Sequence, residues 1–138
     1  MPATFYEFKL GAKLTTVGPV VDVNIPVDIF TKFEFEPVQF TLDTGSDFTV
    51  MPNHMARQIG IDLSQCQRSK IYGLAKEPIK AYLAIITMRL GKKEFPLRCL
   101  ISERNDTPFL LGRVDIFDKF NIEIDNIKGV IRFIEISQ

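Results

Sequence analysis

The chain has one histidine, two cysteines and no net charge, and each shortage removes a class of function. A histidine-based catalytic triad would have to use His54, yet no serine or cysteine stands in a recognisable nucleophile motif. His54 therefore reads as a surface residue of a short helix. Cys66 and Cys99 lie 33 positions apart with no metal-ligating neighbours at the usual spacing. No metal and no cofactor are expected; two reduced thiols, buried or half-buried, are. Seventeen basic residues balance seventeen acidic ones, which leaves no electrostatic footprint for nucleic acid or an anionic membrane. No apolar run approaches the roughly 20 residues needed to span a bilayer. The segment Met1-Pro2-Ala3-Thr4-Phe5-Tyr6-Glu7 lacks the basic-then-apolar layout of a secretory signal, so a cytoplasmic location is expected.

What is present suits a globular domain. Hydrophobic residues make up 46% of 138, and no linker, low-complexity tract or charge run divides the chain, so residues 1–138 read as one domain. Short apolar segments punctuated by Gly, Pro, Asn and Asp predict a mostly β structure. The expected strands are Val20 to Ile25, Val38 to Leu42, Phe48 to Met51, Ile71 to Gly73, Tyr82 to Leu90, Glu94 to Ile101, Phe109 to Leu111 and Val130 to Ile136. Gly91-Lys92 suits a tight hairpin between two of them. Pro52 to Ile59 has proline near its start and Gly60 past its end, which predicts a helix. A second helix is expected over Val114 to Phe120, with Val114, Phe117 and Phe120 on a buried face. Most of the twelve phenylalanines are expected in the core. Gln39 to Met51 and Arg98 to Phe117 share the order strand, loop, strand, helix, as two related ψ-shaped loops would.

One cluster carries chemistry. Phe40-Thr41-Leu42 runs as an apolar strand into Asp43, which Thr44-Gly45-Ser46 then holds at the strand's end. Strand interiors disfavour Asp, and Gly permits backbone conformations that other residues resist, so the arrangement presents one acid in a defined orientation. Taken bare, Asp-Thr-Gly is also compatible with an ordinary turn. Phe48-Thr49-Val50-Met51-Pro52 continues it, and Leu110-Leu111-Gly112-Arg113 follows about 65 residues later.

Together these motifs resemble the retropepsin-like aspartic proteases, the single-lobe, retroviral-type branch of the pepsin group, over roughly Gly18 to Glu135. The resemblance implies an all-β, closed-barrel-like fold with ψ-loops and one or two short helices, working as a twofold homodimer. It implies that Asp43 is the catalytic aspartate, that the Thr44 hydroxyl locks two active-site loops together across the dimer, and that Gly45 lets substrate backbone approach. Leu110, Leu111 and Gly112 would thread the second ψ-loop and support the catalytic turn. Asp47 and Arg113 would pair and flank the substrate site. The flap matches Ile71-Tyr72-Gly73-Leu74-Ala75-Lys76, with Tyr72, Gly73 and Leu74 as substrate contacts, although only one glycine is present where viral members carry several. Arg113-Val114-Asp115 departs from relatives in which Arg is followed directly by Asp or Asn, so Asp115 is expected to anchor the following segment differently.

Peptide hydrolysis by this chemistry needs two carboxyl groups facing one water, one as base and one, protonated, as donor to the scissile carbonyl. Two carboxylates about 3 Å apart cannot both ionise, so such a pair shares a proton. The chain has one Asp-Thr-Gly, and Asp106-Thr107-Pro108 is no substitute because proline replaces glycine. The second Asp43 must then come from a twofold-related copy. Phe5 to Leu10 and Val130 to Ile136 are expected as interdigitated edge strands at that interface. The cleft would hold an extended polypeptide by main-chain hydrogen bonds, with apolar pockets from Leu42, Leu74, Ile85 and Leu110. Ser46 is expected to donate to the Asp43 carboxylate, which would favour an acidic optimum. The competing reading is a catalytically silent dimeric peptide- or protein-binding module of the same fold.

Overall fold

The computed structural model describes residues 3–73 and 77–137. Twelve strands follow in chain order: β1 (Phe5–Lys9), β2 (Gly11–Thr15), β3 (Gly18–Asp22), β4 (Asn24–Phe30), β5 (Phe35–Leu42), β6 (Thr49–Met51), β7 (Gln67–Ile71), β8 (Ile79–Leu90), β9 (Lys93–Ser102), β10 (Leu110–Leu111), β11 (Phe120–Asp125) and β12 (Val130–Glu135). The one α-helix among the described residues, α1 (His54–Ile59), and a 3-10 turn, Leu63–Gln65, lie between β6 and β7.

Six strands close into a ring in the order β4-β5-β10-β6-β9-β8, and β8 returns to β4 through Asp28↔Arg89 and Ile29↔Met88. Closure removes the bare edges that an open sheet would present. The Arg89 guanidinium fastens the seam, reaching Asp28 at 2.8 Å and lying 4.2 Å over the Phe35 ring. Strands here alternate cleanly: Ile25, Val27 and Ile29 of β4, and Ala84, Ile86, Met88 and Leu90 of β8, all face the buried interior. Gly91 makes the β8–β9 turn at φ +63, and a Cβ there would stand 2.2 Å from the Tyr6 ring, so β1 packs directly on the hairpin tip.

The ψ-loops are interlocked. β10 runs between β5 and β6, parallel to the first and antiparallel to the second, while β6 in turn lies between β10 and β9. Each loop is thus threaded by a strand of the other, and the two halves share one order of elements as far as their last member.

That last member differs. Instead of a helix over Val114 to Phe120, the chain makes successive turns, with Phe117 N–H donating to Arg113 O (2.9 Å) and Phe120 N–H to Ile116 O (3.0 Å). Asp115 adopts φ +66, a left-handed conformation that interrupts a helix and is held by its carboxylate, which accepts from Arg98 N (2.8 Å) and Nη2 (2.9 Å) on β9. The buried side chains are Ile116 and Phe120; Phe117 is exposed. The helix at 54–59 does form, ending at Gly60 with φ +89, and Asn105 Oδ1 caps its first N–H at 2.9 Å.

The terminal strands pair with each other within the chain, which takes β12, though not the outer edge of β1, out of the expected interface. β12 sits between β1 and β11 within the chain, registered Phe5↔Ile134 and Ile124↔Ile131, so no edge of β12 is free for a second copy. Phe133 of β12 meets Phe8 and Phe120 edge-on at 6.0 and 5.8 Å within this small sheet, and Phe120 in turn meets Phe95 of β9 at 6.0 Å, which docks the sheet on the barrel. Four phenylalanines, Phe5, Phe30, Phe33 and Phe117, stay exposed rather than joining the core. Among the described residues no helix is long and apolar enough to cross a membrane.

Candidate active site

The Asp-Thr-Gly turn is positioned by strands on both sides. Leu42 N–H donates to Val23 O (2.9 Å), Thr41 N–H to Phe109 O (3.0 Å) and Asp43 N–H to Leu111 O (2.9 Å). β5 stops at Leu42 because Asp43 turns its carboxylate back on the loop: Oδ1 accepts from Gly45 N–H at 3.1 Å, and the Asp43 carbonyl accepts from Ser46 N–H at 3.1 Å. Asp43 is half-buried, whereas Thr44 and Gly45 are exposed beside it.

Ser46 does not serve Asp43. Its hydroxyl donates to the Phe48 carbonyl oxygen at 2.7 Å, because the loop bends away from the carboxylate after Gly45. The case for an acidic optimum built on this serine falls with it. Asp47 pairs with the Arg113 guanidinium, while Arg113 N–H donates to Ser46 O (3.0 Å) and Asp47 O (3.1 Å) and Val114 N–H to Asp47 O (2.8 Å). The turn is therefore clamped by backbone from the second ψ-loop as well as by the ion pair.

Gly112 lets the two loops approach. A Cβ at this position would lie 2.4 Å from Phe48 C and O and 2.9 Å from Thr49 N. Its N–H donates to the fully buried Thr49 hydroxyl at 3.1 Å. Leu111 is wholly buried, and Leu110 packs on a small apolar cluster of Val50, Ala81 and Leu100. Asp115, one turn on, bridges to Arg98, whose guanidinium holds the Asp115 carboxyl below the usual carboxylate range.

Two concavities adjoin the turn. One, of about 250 Å³, has Gly45, Ser46 and Asp47 on one wall, Lys70, Ile71 and Tyr72 on the other, and Phe48, Val50 and Leu100 as its floor. Tyr72 is exposed at its rim, Gly73 is exposed but does not line it, and Leu74 lies outside the described residues. The apolar lining thus differs from the expected set: Ile85 is exposed on β8 and lies outside this cleft, and Leu110 supports the floor from its cluster. Lys70 had no place in the sequence reading, where a charged edge strand looks like any solvated face. The second concavity, of about 310 Å³, is mostly apolar: Leu42, Phe117, Phe120, Ile122 and Ile124, with Asn121, surround Thr44. A larger hollow of about 560 Å³ lies behind α1, lined by His54, Arg57 and Asp62 but by none of residues 43–47, so it is remote from the acid.

Comparison with known proteins agrees with this architecture. The family model described as "gag-polyprotein putative aspartyl protease" matches residues 29–116. A retropepsin-like aspartic protease from Rickettsia conorii superimposes with a TM-score of 0.66 at 20% identity, covering 97% of this chain and 94% of that one. The retroviral protease-like domain of Ddi1 from Leishmania major superimposes with a TM-score of 0.57 at 12% identity, covering 84% and 94%. No curated protein matches the chain significantly. A matched segment that runs from inside β4 through the Asp-Thr-Gly turn to Ile116, on interlocked ψ-loops, places the chain in the retropepsin-like aspartic protease family.

Proposed function

We propose that the protein is a homodimeric aspartic endopeptidase in which two Asp43 carboxyls, one from each subunit, activate a single water. One carboxylate takes a proton from the water while the other, protonated, donates to the scissile carbonyl oxygen. The resulting tetrahedral intermediate collapses with cleavage of the C–N bond, and the departing amine takes up a proton from the dyad. Thr44, Gly45 and the Gly112-supported turn hold each acid in place; Asp47, Tyr72 and Gly73 flank the extended substrate.

The observation that carries this reading is the apolar groove around Thr44. Leu42, Phe117, Ile122 and Ile124 open to solvent beside the single catalytic turn, where a copy of the same turn would have to stand. The uncovered face adjoins Phe117 and Ile124, which are 40% and 44% exposed, and burying the part still exposed is worth roughly 0.6–1.3 kcal/mol each. An isologous contact here would bring two Asp43 turns together on one axis. β7 supports the same reading from the other side of the cleft, since it ends the sheet order with its outer edge open to an extended peptide.

Purified protein incubated with casein across a pH series tests the proposal. Cleavage that disappears in Asp43→Asn, with an unchanged circular dichroism spectrum, is expected. Cleavage at the parent rate by Asp43→Asn would refute it. Specific binding of unstructured peptides with no turnover at any pH would favour the silent binding module.

A further inference from the structure

The β7–β8 hairpin concentrates positive charge next to the cleft. Arg68 faces Tyr82 and Lys70 faces Lys80 in register, so all four side chains share one face of the hairpin. Arg68, Lys70, Lys80 and Tyr82 line a hollow of about 370 Å³ in which Glu103 is the single acid among the described residues. Among the described residues none of these three cations forms an ion pair. The chain as a whole is neutral, so this is a local surplus rather than a general trend. Two lysines directly opposite one another repel, and an anion seated between them would relieve that repulsion.

Lys70 connects this surface to the chemistry. It lines both the cationic hollow and the cleft that holds Gly45, Ser46 and Asp47. Among the described residues, Asp47 is the only carboxylate on the cleft wall and is taken by Arg113, which leaves the Lys70 ammonium as the uncommitted charge there. The floor is apolar, so neither Phe48, Val50 nor Leu100 competes for it.

Resting on the endopeptidase reading above, we propose that the substrates are polypeptides with an acidic side chain flanking the scissile bond. Lys70 is the specificity-determining residue, and Arg68 and Lys80 reinforce it electrostatically. A peptide lying along the open edge of β7 presents alternate side chains to this face. A Glu or Asp there meets the exposed Lys70 ammonium, while a Lys meets three like charges.

The test is a peptide series that differs only in one residue, Glu, Gln or Lys, moved stepwise through the positions on either side of the cleaved bond. At one or more positions, Glu is expected to raise kcat/KM about threefold over Gln and about tenfold over Lys at low salt. The preference should shrink at about 1 M salt. Lys70→Glu should reverse the order, whereas Lys128→Glu, the same charge change on the distant β11–β12 turn, should keep it. Equal rates for Glu and Gln peptides at every position, or a preference that survives in Lys70→Glu, would overturn the assignment. Should no peptide be cut, the endopeptidase reading fails separately. Fluorescence anisotropy of the same labelled peptides then decides the charge preference: tighter binding of the Glu peptide upholds it and equal binding overturns it.

Discussion

Replacing Gly112 by alanine adds one methyl group where the two ψ-loops cross. The new Cβ would sit 2.4 Å from the Phe48 carbonyl carbon and oxygen and 2.9 Å from Thr49 N, all backbone atoms that no rotamer change can move. Gly112 has no positive φ, so the cost is steric and not conformational. Overpacking of this kind costs about 1–3 kcal/mol. Moving β10 away from β6 also weakens the Gly112 N–H bond to the buried Thr49 hydroxyl, about 0.5–1.5 kcal/mol more. A loss of about 2–4 kcal/mol is expected against a total stability of roughly 5–15 kcal/mol. Urea unfolding followed by circular dichroism should show a lowered midpoint with an unchanged slope. The Asp43 N–H to Leu111 O bond shares this strand, so peptide cleavage should fall more than the folded fraction does. Gly129→Ala supplies the contrast: at φ +70 with nothing within 4 Å, it adds backbone strain without a clash and should cost about 1–2 kcal/mol, with cleavage unchanged. A Gly112→Ala protein within about 0.5 kcal/mol of the parent and fully active would refute the crossing-point argument.

Acid sensitivity should report on Asp115. The Arg98 guanidinium holds its carboxyl below the ordinary range, so the bridge stabilises fully above the unfolded carboxylate pKa and is lost as pH falls through the depressed folded value. Thermal melts taken downward from neutral pH should show a shallower acid decline in Arg98→Met than in the parent; identical declines would contradict the assignment. Burial pushes the Cys99 thiol up to about 12, while Cys66 is half-buried. A maleimide at neutral pH should label one thiol in the native state and the second only on unfolding. Fast labelling of both thiols in the native protein would show that the β9 core is open.

Legibility in the sequence followed the physics of each element. Alternation with one face buried, as in Ala84, Ile86, Met88 and Leu90, leaves a period-two signature that β8 carried. By contrast, the strand expected at Val20 to Ile25 straddles the end of β3 and the start of β4, and β2 and β11 were not expected. The acid turn was legible because Asp and Gly are both out of place in a strand interior. The helix expected at Val114 to Phe120 failed because turns broken at Asp115 bury Ile116 and Phe120, four residues apart, and not the three-residue series of Val114, Phe117 and Phe120. Nothing in local composition announces that Asp115 will take a positive φ to reach Arg98 from β9. Ser46 was misread for a similar reason: which acceptor a hydroxyl meets depends on the loop path, here toward Phe48 O. β1 and β12 were recognisable as strands, but their pairing within one chain is a long-range choice between Phe5 and Ile134. Lys70 was invisible because its significance comes from Lys80 opposite and Asp47 across the cleft, neither near it in sequence.

Subunit mixing tests the dependence of each active site on two chains. Parent protein and Asp43→Asn are unfolded together in equal amounts, refolded, and assayed against the same total amount of parent alone. Random pairing of subunits that each supply half of the acid pair should leave about a quarter of the cleavage rate. A rate of about half, the value for chains that act independently, would contradict the shared dyad.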